Sequence, residues 1–338
     1  MGVGTGGLGG LAAWLVALHE FPGRRLFSWL LVLPLAAPAF VLAYGYASLF
    51  DVSGPVRTAW RAAFGWDPPF EMRTLWGAAI VMTLAFYPYV YLTLRAALLN
   101  QSSSLVEAAR SLGLTHRQAF ARVALPLART ALAAGIALAV METLADYGAT
   151  SFLTVQTLTT GVVRAWSVFY SATEAARLAL PLLAAAAVLL WLERANQKAL
   201  GEAGQARWRG LDRIHIHGAA GWAATAFCLT LIGLGLVLPL GWLAWLGWGR
   251  EHDLARLISS SRNVLILGTV AALFTCGLAT LVALSARNTR FVPGLLSLGY
   301  ATPGAVMAIG LLAPAGLIWR AFPATVSSFA MAIVLLVL

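Results

Sequence analysis

Of the chain's 13 acidic residues, only Glu142 and Asp146 fall inside an apolar run, in GIALAVMETLADYGATSF. Four residues apart, they share one face of a helix. A carboxylate at such a depth in a bilayer costs roughly 2.5–3.5 kcal/mol on insertion scales, so its presence marks a polar pathway or a paired interior site. With Tyr147 beside them, these groups offer oxygen atoms, which suit a hard trivalent cation or an organic cation in passage. No resident metal site is expected there. A purely structural role competes: one or both could pair with an arginine or cap backbone at a helix break near Gly148. Tyr87 and Tyr89 flank Pro88 in FYPYVY, within another apolar run. Pro88 frees a carbonyl and should kink its helix; the tyrosines either pack or form a wall of the same path. His215 and His217, two apart in RIHIH, read as a solvated interfacial segment before they read as metal ligands. Cys228 and Cys276 sit in apolar runs as small packing residues and imply no disulfide or metal framework.

The elements that must position these groups follow from composition. The chain has 338 residues, 60% hydrophobic and only 11% charged, with a mean hydropathy of +0.80. A soluble domain has about 25% charged residues, so the chain reads as an all-α, polytopic transmembrane helical bundle. A span needs about 20 apolar residues. Full spans are expected near 27–49, 75–98, 128–148, 176–192, 219–246, 263–285 and 293–314, with two shorter runs at 5–18 and 324–338. All but one of the 23 basic residues are arginine. Of these 23, 14 fall in the loops 19–25, 95–130, 193–217 and 286–291, which places that set in the cytoplasm and residues 50–74 and 149–175 outside.

LAAPAFVLAYG (35–45) resembles YATPGAVMAIG (300–310), and GLAAWLVAL (10–18) resembles GLATLVAL (277–284). The order is the same in each case: apolar run, basic turn, Pro-bearing span. Two related halves are therefore expected, 1–192 and 218–338, joined by a polar cytoplasmic linker at 193–217. Parallel repeats are a transporter plan.

Between two spans lies SSSLVEAARSLGLTHRQAFARVALPLART (102–130), the most polar long stretch. Ser104 and Glu107 have capping-box spacing, as do Thr115 and Gln118. Gly113 is placed to end the first short helix in the left-handed conformation. Leu125-Pro126 begins the return into the membrane. A two-helix cytoplasmic elbow over 104–126 results. One reading makes it a helix-turn-helix on DNA, with Arg117, Gln118 and Arg122 reading bases. About 25 residues hung between two spans cannot bury the core such a domain needs, so no nucleic-acid partner is expected.

E-A-A at 107–109, Gly113, then Val123 and Leu125-Pro126 resemble the EAA motif of membrane subunits of binding-protein-dependent ABC importers. Only Val123 departs, where isoleucine is usual. LVLPLAAPAFVLAYGYASLFDVSGPV, FYPYVYLTLRAALLNQSSSLVEAARSLG, METLADYGAT and VQTLTTGVVRAW are similar to iron(III)-type permeases, which carry two permease halves on one chain. The resemblance covers 20–192 and, more weakly, 263–314. It implies a type I importer permease of the MetI-like kind in the bacterial cytoplasmic (inner) membrane. It also implies two copies of a separate ATPase docked on Glu107, Ala108, Ala109, Gly113, Leu125 and Pro126, and an extracytoplasmic substrate-binding protein. ATP would be bound by the partner; the chain has no Walker motif, so it is expected to be neither an enzyme nor a cofactor protein. Iron(III) is the expected substrate, with thiamine, phosphonate and polyamine permeases sharing the plan. One elbow for two ATPases leads to the expectation that a second EAA-like segment lies beyond Leu338, or that a second permease chain supplies it; the repeat and the two short runs make the chain read as a fragment lacking both ends.

Overall fold

The computed structural model describes residues 1–99, 111–115, 118, 125–198, 214–248, 253–285, 304, 306, 307 and 309–311. In chain order the elements are α1 (Gly2–Leu18), β1 (His19–Glu20), α2 (Arg24–Leu30), a 3-10 turn (Leu33–Ala36), α3 (Ala39–Leu49), α4 (Pro55–Phe64) and α5 (Leu75–Leu99). There follow α6 (Leu125–Ala145), α7 (Gly148–Phe152), α8 (Leu158–Ser167), α9 (Ala172–Lys198), β2 (Ile214–His215), α10 (Ala219–Ile232), a π turn (Gly233–Val237), α11 (Leu238–Gly247) and α12 (Leu254–Ser285). The chain is an all-α polytopic bundle; its only sheet among the described residues is a parallel two-residue pairing of β1 with β2. Among the described residues five helices are long and apolar enough to cross a membrane, and a bent pair makes a sixth candidate.

The packing falls into two compact units, 1–156 with 188–246, and 157–187 with 247–338. In the first, α5 is the central element. At 25 residues it reaches about 37 Å at 1.5 Å per residue, more than the ~30 Å of a hydrocarbon core. One face of it is buried through Val81, Tyr87, Val90, Tyr91, Leu94 and Leu98, and it stays helical through Pro88. Helices α1 and α6 lie against it because each presents a glycine. A Cβ at Gly9 would sit 2.5 Å from the Tyr87 carbonyl oxygen, and one at Gly135 would sit 2.7 Å from Val90 Cα. Between apolar helices in lipid, such close backbone approach replaces the hydrophobic drive that water would supply.

The run expected as a full span near 27–49 is broken: Arg24–Ala36 and Ala39–Leu49 meet at 87°. Pro34 and Pro38 explain it. Proline removes a donor and pushes the residue before it out of the helical region, and Ala37 is extended at φ −93°, ψ 123°. The chain restarts at Pro38, whose carbonyl accepts from the Val41 amide at 2.9 Å. A second irregularity faces α3. Pro239 cannot donate inside α11, and the helix widens just before it into the π turn. The Tyr46 hydroxyl of α3 donates to the Leu234 carbonyl in the widened turn, and Trp242 Nε1 of α11 donates to Ser48 Oγ of α3 at 3.0 Å.

The expected span over 128–148 ends three residues early, at Ala145, with α7 starting separately at Gly148. At the other face, β1 ties the end of the 193–217 segment to the α1–α2 turn: Ile216 N donates to Glu20 O at 3.0 Å. Arg24 closes that turn, with Nη1 donating to Val16 O at 2.9 Å and Nε 2.9 Å from Glu20.

In the second unit α8 starts with a capping box, Thr157 with Thr160. Its Val162 and Ala165 pack with Ala175 and Ala179 of α9. The apolar window of α12 has no residue buried among the described residues. The expected spans at 293–314 and 324–338 lie largely or wholly outside the described residues.

Candidate functional site

The broken helix leaves a gap, and the carboxylates border it. A cavity of about 380 Å³ is lined by Pro34, Leu35, Ala37, Pro38 and Ala39 at the break, by Ala85, Phe86 and Tyr89 of α5, and by Glu142, Ala145, Asp146 and Tyr147 at the end of α6. All of these belong to the first compact unit. The geometry is therefore a polar pocket cut into an otherwise apolar bundle. It exists because two prolines four apart stop one helix from filling the space.

The two carboxylates do different things. Asp146 lies one residue beyond α6, not on its face as helical spacing suggested. Its Oδ1 accepts the Thr150 amide at 3.0 Å, and its carbonyl accepts the Thr150 hydroxyl at 2.8 Å. It holds the first turn of α7, where a carboxylate complements the amide-bearing end of a helix. Glu142 is half-buried on α6 and, among the described residues, has no ion-pair partner. The amino-terminal end of α3 also reaches the cavity through Ala39, and the partial positive charge of a helix start favours a carboxylate nearby. The cavity thus holds one carboxylate committed to backbone and one without an ion-pair partner among the described residues.

Of the other residues singled out, Tyr89 and Tyr147 line the cavity, and Tyr147 is exposed. Tyr87 does not: it is fully buried in the core, with its ring 3.6 Å from where a Cβ on Gly235 would sit. Beside the cavity, Phe40 meets the Phe152 ring edge-on at 5.5 Å, Tyr44 meets it at 5.2 Å, and Arg73 lies over it at 5.5 Å. The contribution of Pro34, Pro38 and Phe86 was missed; the proline pair in LPLAAP was the available signal.

Only part of the elbow is described. Glu107, Ala108 and Ala109 lie outside the described residues. Gly113 has φ +89°, as its role at a helix end requires, and no described residue lies within 4 Å of an added Cβ. The second capping box is formed: the Thr115 amide donates to Gln118 Oε1 at 3.0 Å, and the Gln118 amide to Thr115 Oγ1 at 3.3 Å. Leu112 is 86% exposed. Leu125 starts α6, and Pro126, in its first turn, is exposed.

His215 and His217 stack with centroids 5.9 Å apart beside a smaller cavity bordered by Glu20 and Trp222. Among the described residues no three His, Cys, Asp or Glu side chains form a group able to hold a metal.

The family described as "binding-protein-dependent transport system inner membrane component" matches residues 7–200. The chain is similar to the sulfate transport system permease protein CysT of Escherichia coli (strain K12), at 36% identity over 150 residues, 44% of this chain and 52% of that protein. It is similar to the Fe(3+)-transport system permease protein FbpB 2 of Haemophilus influenzae at 26% identity over 328 residues, 92% of this chain and 60% of that protein. The sulfate transport system permease protein CysW of Escherichia coli (strain K12) is 33% identical over 144 residues, 42% of this chain and 47% of that protein. The chain thus spans about half to three-fifths of the length of these curated relatives.

Proposed function

We propose, from the fact that the chain belongs to the binding-protein-dependent transport inner membrane components, that it forms the translocation path of an importer for a hard cation, iron(III) in the first instance. A substrate-binding protein delivers the cargo and a separate ATPase, in two copies, drives it. The observation that carries the cation is the pair of carboxylates on one cavity, with Glu142 unpaired among the described residues. Carboxylate oxygens suit hard cations; in a pocket of reduced dielectric they repel a divalent oxyanion. The long reach of the similarity to the Fe(3+) permease, 92% of this chain, supports the same choice. Oxyanion import is the second reading, favoured by the higher identity to CysT over a shorter stretch. Thiamine or polyamine cargo would fit the same carboxylates; phosphonate would not.

ATP-driven uptake into proteoliposomes holding the complete transporter separates these readings. Labelled iron(III) should accumulate and labelled sulfate should not. Sulfate accumulation without iron would overturn the cation assignment while leaving the permease role intact.

Coupling is assigned to the elbow, with Gly113 as its hinge. No described residue comes within 4 Å of a Cβ added at Gly113, so against the described residues the cost of Gly113→Val is conformational, roughly 1–2 kcal/mol for a side chain held at positive φ. Substrate-stimulated ATP hydrolysis by the complete transporter should fall several-fold, with membrane insertion normal and Gly113→Ala intermediate. Unchanged stimulation would remove the elbow from the coupling path.

A further inference from the structure

The loop between α3 and α5 contains α4, a ten-residue helix with no buried residue. At helical spacing Val56, Ala59, Trp60, Ala63 and Phe64 fall on one face, and Arg57, Thr58 and Arg61 on the other. The apolar face is extended by an aromatic cluster. Trp60 meets Phe64 at 4.5 Å, Trp66 at 5.5 Å and Phe70 at 5.6 Å, and Phe70 meets Phe50 at the end of α3 at 5.5 Å. The cluster remains open on one side, with Phe64 59% and Trp66 52% exposed. The polar face is fixed by Arg61, which donates to Asp67 at 2.6 Å and to the Val52 carbonyl at 3.3 Å; the guanidinium holds the Asp67 carboxyl below the usual carboxylate range.

We infer that α4 lies in the membrane–water interface, its Ala59–Ala63–Phe64 face in the acyl boundary and its arginines toward headgroups. Three observations select lipid as the occupant. Arginine on one face with Trp and Phe on the other is the pattern of interfacial helices. The exposed aromatic surface leads directly into α5, a span whose first two residues, Leu75 and Trp76, are 67% and 79% exposed at the end that must meet the interface. Residues 50–74 balance Asp51, Asp67 and Glu71 against Arg57, Arg61 and Arg73, so the loop lacks the net charge that would steer a protein partner. The helix would then fix the depth of the top of α3, which begins at the cavity.

The test places a nitroxide on single cysteines in the full chain, reconstituted in phosphatidylethanolamine–phosphatidylglycerol vesicles. Cys276→Ala removes the exposed native thiol, and Cys228 is buried. The ratio of accessibility to oxygen over accessibility to a water-soluble nickel chelate is then read by electron paramagnetic resonance. Ala59→Cys and Ala63→Cys should exceed Thr58→Cys by roughly threefold or more, as burial in the acyl boundary requires. Two positions on the apolar face, each checked for a single size-exclusion peak, keep the result independent of one variant's folding. Water-like ratios at both positions, or equal shielding from both reagents, would overturn the assignment. So would shielding that appears only when a binding protein is added, which would give the face to that partner.

Discussion

Glu142→Gln should lower cation uptake by the complete transporter roughly tenfold or more, since an oxygen contact to a charged partner contributes about 1.5–3 kcal/mol. The substitution keeps the shape of the side chain and removes only its charge. Glu142 is half-buried and has no ion-pair partner among the described residues, so no structural pair breaks with it, and thermal stability should not fall. Asp146→Asn should behave differently. The amide oxygen can still accept from Thr150 N, so uptake should drop less and the fold should hold. Asp146→Ala should cost about 1 kcal/mol, the usual loss for a cap, and loosen the start of α7. The double variant Glu142→Gln with Asp146→Asn should transport close to the Glu142→Gln rate. Wild-type uptake by that double variant, with ATPase coupling followed in parallel, would take both carboxylates out of the path.

The second large effect concerns the frame. Gly135→Val should destabilise the α5–α6 pair by roughly 3 kcal/mol, at the upper end for overpacking. Its Cβ would stand 2.7 Å from Val90 Cα and 2.3 Å from Thr93 Oγ1. The first of these is backbone and cannot swing aside. Because Tyr89 and Glu142 sit on the two helices that must separate, the cavity should be lost with the packing. The buried thiol of Cys228 reports this directly in a Cys276→Ala background. A thiol-reactive fluorophore should light up roughly 6–12 °C earlier on heating than in the parent, given about 2–4 °C per kcal/mol for a unit of this size. An unchanged transition would mean that α6 can move away from α5 at no cost, and the close approach would not be what holds them.

What could be seen in the sequence was set by the solvent. Lipid demands long apolar helices with satisfied backbone, so the spans at Leu75–Leu99 and Ala219–Gly247 stood out by length and composition alone. Local chemistry was equally legible where side chain and backbone speak to each other within four residues: the Thr115–Gln118 box and the left-handed Gly113 need no tertiary information. The break at Ala37–Pro38 was harder, because proline is common inside spans and α5 runs through Pro88 without interruption. Whether a proline bends or breaks a helix depends on what neighbours fill the gap. Asp146 shows the same limit at a helix end. Spacing put it on the face of Glu142, whereas the competing expectation, a carboxylate capping backbone at a helix break near Gly148, is the one that forms: α6 stops at Ala145 and Asp146 accepts from the Thr150 amide at the start of α7. Both groups still border one cavity, because Asp146 follows the helix by one residue. Tyr87 and Tyr89, two apart on one helix, point to different faces by spacing alone; which of them meets the cavity lay beyond sequence, since it rests on Gly235 and Gly9 meeting the face of α5 that carries Tyr87. The run at 5–18 read only as shorter than a full span; the glycines at 2, 6 and 10 of the helix Gly2–Leu18 were a packing signal of the small-xxx-small kind.

The claim that the cavity at the broken helix lies on the transport path is tested most directly by Glu142→Cys in the complete transporter, in a Cys276→Ala background. A membrane-impermeant cationic methanethiosulfonate should reach the new thiol, substrate delivery should slow the reaction, and full modification should stop uptake. A thiol that stays unmodified in resting and cycling transporter alike, or uptake that continues at the unmodified rate after complete modification, would contradict it.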